Sequence, residues 1–195
     1  MMANDLTARS SRTLWIDALS PDRASVLVQI LAISSFAIAT ALGAQVRIYL
    51  WEVPITLQTL FVYGSGLVLG ARNGLLSMLL YLVLGMLLPV YAGSGHGLAY
   101  LMTAASAGYL LGMPLSAYVI GLLGKRAKSS LGDAVAVFAG SVVLFICGVV
   151  WLHFAAAHTT WWYSIEVGWL RFVGFDLAKV LIVTLAYCGL RSWSR

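Results

Sequence analysis

Apolar residues in this chain run in blocks, with no strict two-residue or heptad alternation inside them. From Val26 the sequence is almost unbroken in Val, Leu, Ile, Ala and Phe until Arg47, and similar blocks recur down the chain between short polar or glycine-bearing interruptions. A helix apolar on every side suits a lipid surrounding, and about 20 such residues, with a range of about 17–25, cross a bilayer core. Against that length the chain divides into six predicted spans at 26–48, 55–69, 75–89, 98–123, 134–156 and 170–190. Pro54 precedes the short second span, Gly70-Ala71-Arg72-Asn73-Gly74 separates it from the third, and Tyr91-Ala92-Gly93-Ser94-Gly95-His96-Gly97 breaks the third from the fourth. The expected architecture is an all-α integral membrane bundle of six helices over 26–190. A polar leader at 1–25 lies at the membrane surface, and 191–195 form a short tail. No apolar stretch of about 7–15 residues precedes the first span, so the leader does not read as a cleaved signal peptide.

The charges agree with this division and orient it. With the start of the chain in the cytoplasm, the inner segments hold Arg9, Arg12, Arg23, Arg72, Lys125, Arg126, Lys128, Arg191 and Arg195, and the outer ends hold only Arg47 and Arg171. Cytoplasmic loops carry the excess of Lys and Arg, which places both termini in the cytoplasm of a bacterial inner-membrane protein. Tyr49, Trp51, Trp161, Trp162, Tyr163 and Trp169 then fall at the outer interface, where aromatic belts sit. Composition leaves little alternative: of 195 residues 61% are hydrophobic and 10% charged, with a mean hydropathy of +0.92. The net charge of +5 is spread over loops between apolar spans, not gathered in a patch, so nucleic acid is not a partner. Cys147 and Cys188 both lie inside apolar runs, so no disulfide framework is expected.

Small residues recur every fourth position at Ala104, Gly108, Gly112 and Ser116, and on the first span at Ser35, Ala39 and Gly43 and at Ala37 and Ala41. Such ridges let helices approach closely in lipid, either within one bundle or against a partner protein.

With so few charges, each one inside a span calls for a reason. Asp176 and Lys179 are three residues apart in the last span, hence on one helical face. Each would cost about 2.5–3.5 kcal/mol at mid-helix unless paired or facing a wet cavity. They lie roughly 9–14 Å below the outer end at about 1.5 Å per residue, within reach of a pocket open to the outside. A carboxylate beside an ammonium offers acceptor and donor together, suiting a neutral ureide, an amide or a zwitterion; the alternative is a tether between helices. Thr56, Gln58 and Thr59 follow Pro54, and Gln58 both donates and accepts. In the glycine-rich loop the backbone can approach a ligand closely, and Tyr91, Ser94 and His96 are candidate contacts there. Ser94 and His96, adjacent on one loop, do not form an oriented nucleophile and base. His96, His153 and His158 show no metal-ligand spacing, so neither an enzyme nor a cofactor or metal site is expected.

The motifs VPITLQT at 53–59, GLVLGARNGLLSMLLYLVLGMLLPVYAG at 66–93, GYLLG at 108–112 and Asp176-x-x-Lys179 together resemble the BioY family, the biotin-specific S component of energy-coupling-factor (ECF) transporters, over about 26–190. The resemblance implies a biotin pocket near the outer face, closed by the loops after the first and third helices. It assigns Asp176 and Lys179 to the ligand, with Tyr91, Leu98 and Tyr109 as an apolar wall. It also implies a coupling transmembrane protein with a pair of ATP-binding subunits, docking at Ala37 and Ala41, with Ser35-Ala39-Gly43 as the rival register. Homo-oligomers are compatible with it. The chain departs from the family where Ala104-Ala105-Ser106-Ala107-Gly108-Tyr109 replaces a Gly-Pro-Thr-Gly-Gly-Tyr-like turn, which predicts a more regular start to the fourth helix, and where His96 enters a glycine-dominated loop. The competing readings are an S component for another vitamin such as thiamine or riboflavin, a partner-independent carrier with Asp176 as its titrating group, and a structural membrane subunit that binds no small molecule.

Overall fold

In a computed structural model, residues 25–49 and 53–193 are described; the leader, with Leu14 and Trp15, and the belt residue Trp51 lie outside them. Helix α1 spans Val26–Gln45 and β1 Arg47–Ile48, and β2 at Ile55–Thr56 pairs with β1 antiparallel. This two-stranded ribbon corrects the purely helical expectation. It satisfies backbone groups of a segment that the proline at 54 keeps out of helix.

Helix α2, Gln58–Leu87, is one element by its hydrogen bonds but folds double at Gly70, where φ is 75° and ψ 179°. In a straight helix Gln58 and Tyr81 would be roughly 35 Å apart, yet Gln58 Nε2 donates to the Tyr81 hydroxyl at 2.5 Å. The arms 58–69 and 71–87 therefore run antiparallel, side by side. The sequence places the break correctly, but the helix resumes directly after Gly70, with no loop over 70–74. Only glycine enters this left-handed conformation without strain.

A 3-10 turn at Ala92–Ser94 leads to α3 at Gly97–Thr103, α4 at Ala107–Gly124, α5 at Ser130–Ala155, α6 at Trp161–Gly168, a second 3-10 turn at Leu170–Phe172 and α7 at Val173–Trp193. Two boundaries differ from expectation. The predicted fourth span is broken at 104–106, so its start is less regular, not more. The last span begins at Val173 behind the short α6. Among the described residues five stretches are long and apolar enough to cross a membrane, among them Gln58–Ser94, which contains both arms of the folded α2. The chain is a multi-pass membrane protein whose described residues are helical apart from the ribbon and the connecting turns.

Glycines set the spacing of the bundle. Gly108 and Gly112 of α4 face Trp151 and Cys147 of α5, Gly140 of α5 faces Ile120 of α4, and Gly66 faces Ala117 and Ile120. The small-residue ridge on α4 thus packs helices within the chain, with Gly108, Gly112 and Ser116 all buried. Successive long elements alternate in direction and give the bundle two ends. The basic end gathers the Gly70 turn with Arg72, the α4–α5 connection with Lys125, Arg126 and Lys128, and Arg191; the ribbon end gathers β1–β2, the Ala92–Ser94 turn, α3 and α6.

Candidate functional site

At the ribbon end a cavity opens between β2, the first arm of α2, α4, α5 and α7, with about 630 Å³ of empty space counted out to its mouth. Its lining includes Thr56, Gln58, Thr59, Tyr109, Asp176 and Lys179 among apolar residues such as Leu144, Phe145 and Phe172.

Asp176 is 6% exposed. The Tyr63 hydroxyl donates to its Oδ1 at 2.5 Å and the Ser141 hydroxyl donates to its Oδ2. Lys179 Nζ donates to the Thr56 carbonyl at 2.7 Å and to Thr59 Oγ1 at 2.9 Å. Among the described residues the ion pairs are Arg171–Glu166 and Arg191–Asp133; Asp176 and Lys179 do not pair with each other. Each charge is held by its own neutral partners, which meets the demand that an ionised group in lipid be hydrogen-bonded and leaves both free to act on a third party. Tyr63 lies four residues after Thr59 and so on the same helical face, the one signal that could have found it. Ser141, on another span, carries none.

The polar segment after Pro54 forms a relay. Thr56 Oγ1 donates to Gln58 Oε1 at 2.8 Å, and Gln58 Nε2 donates to Tyr81, whose hydroxyl reaches the Val90 carbonyl at 3.4 Å. The Gln58 amide is thus spent on the wall of the cavity. Behind it Tyr91 is fully buried and donates to the Leu82 carbonyl at 2.7 Å. It lies edge-on to Tyr81 and stacked on Tyr100, which does line the cavity, so Tyr91 backs the wall without facing the space. A Cβ on Gly85 would sit 2.0 Å from the Tyr91 ring, so only glycine leaves room for it.

Tyr109 is clamped between α4 and the loop side of the bundle. Its hydroxyl donates to the Gly168 carbonyl at 2.6 Å, its ring meets Phe145 edge-on, and a Cβ on Gly148 would fall 2.1 Å from that ring. Phe145 stacks on Trp169 at 5.7 Å, completing an aromatic wall. Ser94 and His96 are exposed outside the cavity lining, with His96 Nδ1 3.3 Å from the Ser94 carbonyl. Leu98 is 62% exposed, so of the expected apolar wall only Tyr109 reaches the cavity. The break at 104–106 contributes Ser106 to the lining; irregular backbone at membrane depth is tolerated where it borders a cavity.

Ala37 is fully buried in the chain's own core and Ala41 packs half-buried against it. This corrects the placement of Ala37 on a docking surface, since a residue facing α2 is closed to a partner; Ile38 and Leu42 are the neighbours that face outward.

The BioY family model matches residues 15–195. The chain belongs to the BioY family. Among BioY relatives, the biotin transporter BioY of Thermotoga maritima is 35% identical over 158 residues, covering 80% of this chain and 92% of that protein. The probable biotin transporter BioY of Lysinibacillus sphaericus is 35% identical over 177 residues, covering 85% and 89%. A crystal structure at 2.1 Å of the S-component for biotin from an ECF-type ABC transporter matches with a TM-score of 0.77 at 22% identity, over 85% of this chain and 92% of that one. At that identity the match speaks for the fold, a BioY-like helical bundle.

Proposed function

We propose that this chain captures biotin in the cavity at its ribbon end and serves as the S component of an ECF-type transporter in the bacterial cytoplasmic membrane. The observation that carries the reading is the separate anchoring of Asp176 and Lys179. After accepting from Tyr63 and Ser141, each Asp176 oxygen keeps a second lone pair, and after two bonds Lys179 keeps a third N–H. A ureido ring presents two N–H donors and one carbonyl, the complement of that set, so Asp176 accepts from a ureido N–H and Lys179 donates to the ureido oxygen. Tyr109, Phe145 and Phe172 offer the sulfur-containing ring an apolar wall, and Thr56 and Gln58 hold that wall in place.

The chain is a transport protein and not an enzyme, and it contains no G-x-x-x-x-G-K-[ST] phosphate-binding loop. Energy for uptake comes from partners, a coupling transmembrane protein with a pair of ATP-binding subunits. Such a module meets the outward side of α1, where Ile38 and Leu42 are exposed.

Calorimetric titration of the detergent-purified protein tests the ligand: biotin is expected to bind tightly, with no heat from thiamine or riboflavin. Absence of biotin binding, or equal binding of either control, would overturn the reading. The basic end faces the cytoplasm by the excess of Lys and Arg, which puts the cavity on the outer side. In a background with Cys147 and Cys188 replaced by Ser, a membrane-impermeant maleimide added to intact cells is expected to label His96→Cys and to label Lys125→Cys only after permeabilisation. The reverse pattern would invert the orientation.

A further inference from the structure

Among the described residues the charged side chains that line the cavity at the ribbon end are Asp176 and Lys179, both on α7, and the proposed function commits both to a ureido ring. What lies across the space decides which side chain that ring can carry. Helix α7 packs on α2 and α5, and α4 packs on the same two helices, so α4 faces α7 across the cavity. At the start of α4 the lining is polar again. The Tyr100 hydroxyl lies 3.3 Å from Ser106 Oγ and donates to the Ala92 carbonyl at 3.3 Å, and all three residues border the cavity. These contacts differ from the other hydroxyl bonds of the lining. Thr56 reaches Gln58 at 2.8 Å and Tyr109 reaches the Gly168 carbonyl at 2.6 Å, within the ordinary O–H···O range of about 2.5–3.0 Å, whereas 3.3 Å lies beyond it. A ligand group that takes over such long bonds displaces little.

The group that fits has to match two hydroxyls, each able to donate or accept, and one carbonyl oxygen, which only accepts. An amide does so, since its oxygen accepts from Ser106 or Tyr100 and its N–H donates to the Ala92 carbonyl. A carboxylate brings acceptors alone. The hydroxyl bonds it gains are offset by the loss of its water and by the facing carbonyl oxygen, and Lys179, the cation that would favour it most, is held at the other side by Thr56 and Thr59.

We propose that Tyr100, Ser106 and the Ala92 carbonyl receive the end of the ligand's side chain, and that the chain takes uncharged biotin amides as a second substrate class alongside the free acid. The inference rests on the reading of this cavity as a biotin site with the ureido ring at α7. Leu110, Met113 and Leu144 of the lining suit the methylene stem between the two polar ends.

Calorimetric titration of the full chain in detergent with biotin and with biotinamide tests this. Biotinamide is expected to bind within about threefold of biotin. Tyr100→Phe combined with Ser106→Ala, at partly exposed positions, is expected to weaken both ligands by about three- to tenfold through the loss of neutral hydrogen bonds. The same double variant should leave unchanged the affinity of an analogue whose side chain ends in a methyl group. Tight binding of biotin with biotinamide at least about 30-fold weaker would show that the site reads the negative charge, overturning this inference while the biotin reading stands. Binding of neither ligand would overturn both. Unchanged affinity for biotin and biotinamide in the double variant, or an equal loss for the methyl-ended analogue, would take the hydroxyl pair out of contact with the ligand and overturn the inference as well.

Discussion

Asp176→Asn is expected to lower biotin affinity by about 30-fold or more in calorimetric titration. The amide keeps one acceptor oxygen, but its NH₂ offers donors where the ligand brings donors of its own. A hydrogen bond to a charged group contributes about 1.5–3 kcal/mol, and about 1.4 kcal/mol is tenfold in affinity. Tyr63 and Ser141 keep an acceptor between them, so the loss falls on the ligand more than on the fold. Lys179→Met should act in the same direction, since the Thr56 carbonyl and Thr59 hydroxyl lose their shared donor. Glu166→Gln, in a partly exposed ion pair outside the cavity lining, is the matched control and should stay within twofold. Asp176→Asn binding biotin within threefold of the parent chain would remove this residue from the site.

The second large effect concerns the bundle itself. A Cβ at Gly121 would lie 2.2 Å from Ala71 N and 2.3 Å from the Gly70 carbonyl carbon. These are backbone atoms of the reversal in α2, fixed by the hydrogen bonds of both arms, so they have no rotamer with which to yield. Gly121→Ala must push α4 away from the fold in α2, and overpacking of this kind costs about 1–3 kcal/mol, occasionally more. At about 2–4 °C per kcal/mol for a chain of this size, the thermal midpoint in detergent is expected to fall by roughly 5–10 °C. Gly174→Ala and Gly189→Ala give the opposite case, because nothing lies within 4 Å of the added atom. Alanine is the better helix former by about 0.5–1 kcal/mol, so these variants should match or slightly exceed the parent. A midpoint unchanged in Gly121→Ala would show that the approach of α4 to α2 is not the tight contact described here.

Most of the fold was legible because lipid imposes a length on apolar blocks, and the positions of the long helices follow from that. The face shared by Asp176 and Lys179 was legible for a similarly simple reason, the 3.6-residue turn. Their partners were not. Tyr63 and Ser141 lie 113 and 35 residues away in sequence, and a hydroxyl on an apolar span gives no sign of which neighbour it will meet. The reversal at Gly70 was visible as a break but not as an immediate resumption of helix, since the deciding quantity is a single backbone angle. The interruption at 104–106 has no glycine or proline to announce it; there the Ala104 carbonyl accepts the indole N–H of Trp151 of α5 at 2.9 Å, a partner that lies 47 residues on in the chain. Ala37 was misplaced because a small apolar residue reads the same whether it faces lipid, a partner or its own core.

The bond from Lys179 to the Thr56 carbonyl ties the last helix to the ribbon that borders the cavity mouth. Any motion that lifts β2 away from α7 strips the ammonium of that acceptor, at about 1.5–3 kcal/mol for a bond to a charged group. The cation that would grip a ligand is thus also the catch on the door. Release of a ligand past β2 would have to break this bond, and on that route a neutral side chain at 179 is expected to shorten residence time by roughly 10- to 150-fold, before any contact with the ligand is counted.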